Sequence, residues 1–226
     1  MVDRAAGIPI VREGLPFVAA TGGSAALAGA LGWQAPAIIL GALALYTAWF
    51  FRNPKRVPPS TPQAVVAPGD GRVLSIAEEF EPRFLKEQGI RVSIFLNVFD
   101  VHVNRIPCEG TVEGIVYQPG RFLAANRPDA TLRNEQNALM IRAARGAKVL
   151  CVQVAGLLAR RIVCWASPGE PVTCGERYGL IRFGSRMDLY LPRRTGVRVR
   201  VGDHVKGGET IIGELPGEET ACAPRS

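Results

Sequence analysis

The chain has 226 residues, 47% of them hydrophobic, and a formal net charge of +7. That is enough apolar material for one cored domain with an appendage, which excludes a disordered chain. The excess charge is almost all arginine, since only Lys55, Lys86, Lys148 and Lys206 are lysines; with no basic helix and no stacking aromatic series, it points to an anionic membrane surface and not to nucleic acid.

Residues Met1 to Pro16 form a short lead-in carrying Arg4, Arg12 and Glu13. From Phe17 to Phe51 there is no charged side chain at all, and such a run belongs to lipid. A single helix over it would be about 50 Å long at ~1.5 Å per residue, well beyond a hydrocarbon core of about 30 Å. Gly32-Trp33-Gln34-Ala35-Pro36 breaks it near the middle, so residues 1–52 are predicted to be a hydrophobic helical hairpin, spanning or shallow and re-entrant. A cleaved signal peptide fits poorly, because the run is too long and Glu13 sits beside Arg12. Basic residues on both flanks put both ends in the cytoplasm, and hence the rest of the chain on the cytoplasmic face of the cell membrane.

Pro54, Pro58, Pro59 and Pro62 make residues 53–67 a stiff extended linker, with the main domain over 68–226. Short strands are predicted over Gly71 to Ala77, Ile90 to Val98, Gly110 to Tyr117, Ala138 to Ala143, Lys148 to Ala155 and Ile162 to Trp165. Further strands follow over Leu180 to Phe183, Met187 to Leu191, Val197 to Val201 and Thr210 to Leu215. Helix is possible only around Arg83 to Gln88 and Gly156 to Arg161. The fold class is therefore mainly β (α+β). Five cysteines, Cys108, Cys151, Cys164, Cys174 and Cys222, show no CxxC and no paired His spacing. They read as reduced thiols, with neither a disulfide framework nor a metal site.

Two turns look alike, Pro68-Gly69-Asp70-Gly71-Arg72-Val73 and Val201-Gly202-Asp203-His204-Val205-Lys206-Gly207-Gly208-Glu209. The second is similar to the turn of biotinyl and lipoyl domains, whose flattened barrel has two related halves, so a barrel-sandwich core is expected. Carrier function is not, because no hairpin with a modifiable lysine is present.

Near the C-terminus, Leu180 to Phe183 and Met187 to Leu191 flank Gly184-Ser185. With no side chain on Gly184, its carbonyl is open to attack by the Ser185 hydroxyl where the backbone bends, which would turn an amide into an ester. The segment from Gly175 to Pro192, G-E-R-Y-G-L-I-R-F-G-S-R-M-D-L-Y-L-P, closely resembles the self-processing site of phosphatidylserine decarboxylase proenzymes, in the short form with F-G-S-R. Pro68-Gly69-Asp70-Gly71 matches that family's early D-G motif, and Phe99-Asp100-Val101-His102-Val103-Asn104-Arg105-Ile106-Pro107 matches its central D-x-H motif.

The resemblance implies self-cleavage between Gly184 and Ser185, giving a heterodimer of a large chain (residues 1–184) and a small chain (185–226). Ser185 would become an N-terminal pyruvoyl group, a covalent pyruvate cofactor. It would form a Schiff base with phosphatidylserine, lose CO2 and release phosphatidylethanolamine, a step of phospholipid biosynthesis. Asp70 falls in the processing constellation. Longer bacterial members carry a second His where this chain has Arg105, and in them it joins Asp in activating the Ser; that role has no direct heir here.

The hydroxyl of Ser185 needs a base or a strained peptide. His102 and His204 are the chain's two histidines. His102, oriented by Asp70 or Asp100, is the candidate base and later proton donor, whereas His204 sits in a barrel turn. Arg105 either stabilises the oxyanion on Gly184 or holds a substrate carboxylate or phosphate. Two other readings stand beside this one: a decarboxylase for the ether lipid archaetidylserine, and a non-catalytic membrane-anchored barrel-sandwich adaptor or carrier.

Overall fold

The computed structural model describes residues 9–61, 63–123, 133–143, 146–156, 161–182 and 184–216. A 3-10 turn over Arg12–Gly14 leads into α1 (Leu15–Ala30) and α2 (Gln34–Phe50). Pro16 sits in the first turn of α1, where its missing N–H costs no bond. The helix stops where the Leu31 N–H bonds the Leu27 carbonyl and Gly32 turns to φ +75°. Pro36 then lies in the first turn of α2, as the break in the sequence suggested. The helices and the turn between them expose apolar side chains, among them Leu27, Leu31, Trp33, Ile38, Ile39 and Leu45. With 16 and 17 residues, each is about 25 Å long at ~1.5 Å per residue. No helix among the described residues is long and apolar enough to cross a membrane.

The rest is strand and turn: β1 (Ala64–Val66), β2 (Gly71–Glu81), β3 (Glu87–Leu96), β4 (Val103–Arg105), β5 (Gly110–Gln118), β6 (Gln136–Ala143), β7 (Lys148–Ala155), β8 (Ile162–Cys164), β9 (Pro171–Val172), β10 (Arg177–Ile181), β11 (Ser185–Pro192), β12 (Gly196–Val197), β13 (His204–Val205) and β14 (Ile211–Glu214). They make an antiparallel eight-stranded sheet, β13-β2-β3-β11-β7-β6-β5-β9, and two three-stranded sheets, β4-β10-β8 and β1-β14-β12. The architecture is the mainly β core with an N-terminal helical pair that composition and alternation suggested. The two similar turns lie against each other. His204 and Val205 pair with Arg72 and Gly71, and the Gly208 N–H bonds the Ala67 carbonyl at 2.8 Å.

Strand β11 runs through the middle of the large sheet between β3 and β7. Alternation sends Met187, Leu189 and Leu191 into the main core with Ile94, Val92 and Ile90. On its other face Arg186 and Asp188 form a buried two-point ion pair at 2.9 Å.

Three expectations come out differently, and part of two others lies outside the described residues. Residues Arg83 to Gln88 form no helix: the Glu81 carboxylate takes the N–H groups of Arg83, Phe84 and Leu85 at 3.1, 2.6 and 2.8 Å, and Lys86 turns to φ +55°. Those donors are spent on a tight turn between β2 and β3. Of the segment Gly156 to Arg161, residues 157–160 lie outside those described, as does Phe183 in the expected strand Leu180 to Phe183. The expected strand over Val197 to Val201 shrinks to β12, because the Asp203 carboxylate draws the Arg200 N–H into a turn at 2.8 Å. The Pro-rich segment 53–67 ends as strand: β1 pairs with β14, and Val65, Val66 and Ala67 are fully buried.

The base of the helical pair is built into the domain. Val11, Phe50 and Phe51 share a buried cluster with Val101, Val103 and Leu180, and the Trp165 indole donates to Glu13 at 2.9 Å. Thus the last turn of α2 rests on the segment that carries the D-x-H motif.

Candidate active site at the Gly184-Ser185 junction

Gly184 and Ser185 occupy the corner where the chain leaves β10 and enters β11. Gly184 has φ +67°, a left-handed conformation that costs other residues about 1 kcal/mol or more. Ser185 is fully buried, paired with Leu96 on one side and Ala155 on the other. Its Oγ has no hydrogen-bond partner among the described residues. An orphaned hydroxyl in a core costs about 1–3 kcal/mol, which a structural serine would have no reason to bear.

His102 meets this corner. The Gly184 N–H donates to its Nε2 at 3.3 Å, so the proton of the neutral ring is on Nδ1, which donates to the Asp100 carbonyl at 3.0 Å. The ring of Phe50 packs over the imidazole at 4.3 Å between centroids. The Asp100 carboxylate is used elsewhere, accepting the Asn97 N–H at 2.9 Å and closing the turn before His102. Asp100 therefore orients His102 through its backbone.

Burial pushes the His102 pKa down to about 4; the Asp100 hydrogen bond opposes this and the Arg52 charge adds to it. The unfolded chain takes up this proton near 6.5 and the folded chain only near 4, so the folded state is favoured above that window and loses ground as pH falls through it. The linkage amounts to about 3 kcal/mol. Denaturant melts at pH 7 and pH 4.5 should show wild type losing more stability than His102→Gln; equal losses would mean that His102 is not held neutral.

Asp70 and Arg105 belong to a neighbouring charged cluster and do not touch His102. Asp70 pairs with Arg56 at 2.7 Å and accepts the Gly207 N–H at 2.8 Å. Burial raises its pKa, against the pull of Arg56 and the Gly207 bond. Arg56 also bonds Glu209 at 3.0 Å, so it ties the Pro-rich segment to both similar turns. Arg105 donates to the carbonyls of Gly175 and Pro54 at 2.9 and 2.8 Å. Its pKa is pushed down to about 10, first by burial and then by Arg177 and Arg56. These bonds make Arg105 a stitch between segments.

Sequence reasoning missed the Phe50 ring over His102 and two buried amides, Asn104 and Gln153, bonded to each other at 2.8 Å. Phe50 lies in a run whose lack of charge says nothing about which ring faces inward. Asn104 stands inside the D-x-H motif and Gln153 in β7; a polar residue in an otherwise apolar strand, C-V-Q-V-A, was the available signal. Among the described residues no cluster of His, Cys, Asp and Glu could hold a metal ion. Cys108, Cys151, Cys164 and Cys174 are free thiols, and burial pushes Cys151 up to about 12.

Comparison with known proteins gives this corner its context. The sequence model of the family described as phosphatidylserine decarboxylase matches residues 43–213. The phosphatidylserine decarboxylase proenzyme of Geobacter metallireducens is 48% identical over 213 residues, covering 92% of this chain and 97% of that protein. Proteins of the same name from Syntrophus aciditrophicus and Nitrosomonas europaea are 46% and 45% identical, over 90% and 91% of this chain and 96% and 95% of their own lengths. The chain is thus a decarboxylase, a lyase made as a proenzyme. It belongs to the phosphatidylserine decarboxylase family, and the adaptor reading falls away.

Proposed function

We propose that this chain decarboxylates phosphatidylserine to phosphatidylethanolamine at the cytoplasmic face of the cell membrane, after cutting itself between Gly184 and Ser185. One observation carries the reading: a fully buried, unpartnered Ser185 Oγ stands next to a left-handed glycine whose N–H is held by a neutral histidine. That environment fits the making of a pyruvoyl group from Ser185.

The cleavage balances on the chain's own atoms. Ser185 Oγ bonds to the Gly184 carbonyl carbon, His102 takes the hydroxyl proton, and the carbon–nitrogen bond breaks as the Ser185 nitrogen receives it. To do this, His102 exchanges the Gly184 N–H for the Ser185 hydroxyl. The resulting ester eliminates: the Ser185 Cα proton leaves, the Gly184 carboxylate departs with the former Oγ, and water replaces the nitrogen, which is lost as ammonia. The chain is left as two pieces, 1–184 and 185–226, ending in Gly184 and beginning in a pyruvoyl group.

That group supplies a carbonyl that condenses with the substrate amine and draws off the electron pair released with CO2. His102 turns Nε2 toward the junction, and a proton taken up there is the one it would return to the substrate carbon. The outward apolar surface of α1 and α2 is matched to lipid, with Arg52 and the exposed Lys55 at its base suited to anionic headgroups.

Intact mass of the purified protein tests this. The expected result is two chains in place of one at 24.3 kDa, the shorter one lacking a free amine and lighter by one ammonia than a fragment starting with serine. A single uncut chain after long incubation with phosphatidylserine vesicles would remove the proposal.

A further inference from the structure

A buried string of amides crosses the core and ends at Asn104, near Gly69. Asn137 of β6 donates from Nδ2 to Gln153 Oε1 of β7 at 2.9 Å, and Gln153 donates from Nε2 to Asn104 Oδ1 of β4 at 2.8 Å. The direction of the string is fixed, because Gln153 Nε2 also lies 3.4 Å from the Val163 carbonyl, which can only accept. Gln153 must therefore turn Oε1 to Asn137 and Nε2 to Asn104. Asn104 is left with Oδ1 toward Gln153 and Nδ2 away from it. Gly179 leaves room for this arrangement: a Cβ there would sit 2.2 Å from the Val163 oxygen and 3.0 Å from Gln153 Nε2.

The outgoing Asn104 Nδ2 is buried and has no acceptor among the described residues. Cores leave few such donors, and each calls for a cause. Its neighbours place it. A Cβ built on Gly69 would lie 3.5 Å from this nitrogen, 3.4 Å from Met187 Cγ and 3.2 Å from Leu96 Cδ2. Leu96 is the cross-strand partner of Ser185, and Met187 follows Ser185 on the same face of β11. The other orphan, Ser185 Oγ, projects from that face. His102, two residues before Asn104, already reaches Gly184.

We propose that Asn104 Nδ2 is the hydrogen-bond donor to the Gly184 carbonyl oxygen as the Ser185 hydroxyl adds to that carbon, with Gln153 the positioning residue that aims it. The proposal rests on the self-cleavage reading. As the new carbon–oxygen bond forms, the carbonyl electron pair moves onto the Gly184 oxygen; it returns when the bond to the Ser185 nitrogen breaks and that nitrogen takes the proton from His102. A donor fixed in advance meets the charge without reorganising.

The test is Asn104→Leu, made by cell-free synthesis in detergent and followed by intact mass. Loss of such a donor should slow cutting by about a hundredfold. The variant loses an unsatisfied donor but also the acceptor of Gln153 Nε2, so the melting temperature should fall only modestly while the chain stays folded. Hydroxylamine, which splits an ester at Gly184, should release no extra fragment, because the ester no longer forms. Wild-type cutting, or an uncut chain that hydroxylamine splits at the wild-type rate, would overturn the proposal. Gln153→Met keeps Asn104 but frees its amide to turn; should Asn104→Leu fail to fold, cutting of Gln153→Met at the wild-type rate would overturn it equally. A wild-type chain that stays whole would instead overturn the self-cleavage reading.

Discussion

Ser185→Ala leaves the chain whole at 24.3 kDa, without decarboxylase activity, and at least as stable as the parent. On the proposed reading the hydroxyl it removes is the attacking group and the source of the cofactor, so the loss should be complete and not graded. The stability half of the expectation follows from burial. Ser185 Oγ is enclosed and bonds nothing among the described residues, so a methyl in its place removes a desolvation cost of about 1–3 kcal/mol and leaves no partner stranded. Intact mass, a thermal melt and release of CO2 from phosphatidylserine in mixed micelles read the three outcomes. Cut chains or turnover from Ser185→Ala would show that the cofactor arises elsewhere.

His102→Gln should slow cutting by about 10²–10⁴-fold, the usual contribution of a positioned base. Glutamine can still accept the Gly184 N–H, so the corner keeps its shape, but an amide takes up no proton at neutral pH. Wild-type cutting should hold its rate as pH falls from 8 and decline only toward pH 4, where His102 becomes charged. The residual cutting of His102→Gln should lack that limb. A time course of intact mass across this range separates the cases. Cutting of His102→Gln at the wild-type rate would leave strain at Gly184 as the only drive.

Much of this site was open to reading in the sequence because its signals are local. Alternation from Met187 to Leu191 marked the strand, and Gly184-Ser185 marked its start, since a glycine ahead of a buried strand advertises a bend. The D-x-H segment was legible as a unit, but the atom of Asp100 that works was not: the carboxylate closes a turn with Asn97 while the carbonyl holds His102. Asp70 and Arg105 were drawn toward the junction by their motifs. Their partners, Arg56, Gly207, Gly175 and Pro54, come from segments far apart in the chain, and no local pattern records such pairings. At residues 83–88 helical propensity lost to Glu81, whose carboxylate captured three backbone donors at once.

Phe50 is at once the last residue of α2 and the ring over His102. The Arg52 guanidinium lies over Trp49 at 3.8 Å and donates to the Phe99 carbonyl at 2.8 Å, and Tyr46 bonds the Val98 carbonyl at 3.3 Å. The greasy pair of helices therefore has no slack against the loop that carries the base. Trimming residues 1–52 would remove Phe50 from over the imidazole, and the His102 pKa should then rise from about 4 toward its ordinary 6.5. If the helices enter lipid as proposed, the same joint would act as a depth gauge: however far they sink, the reacting atoms would ride at one set height above them, and a lipid headgroup would have to be met there.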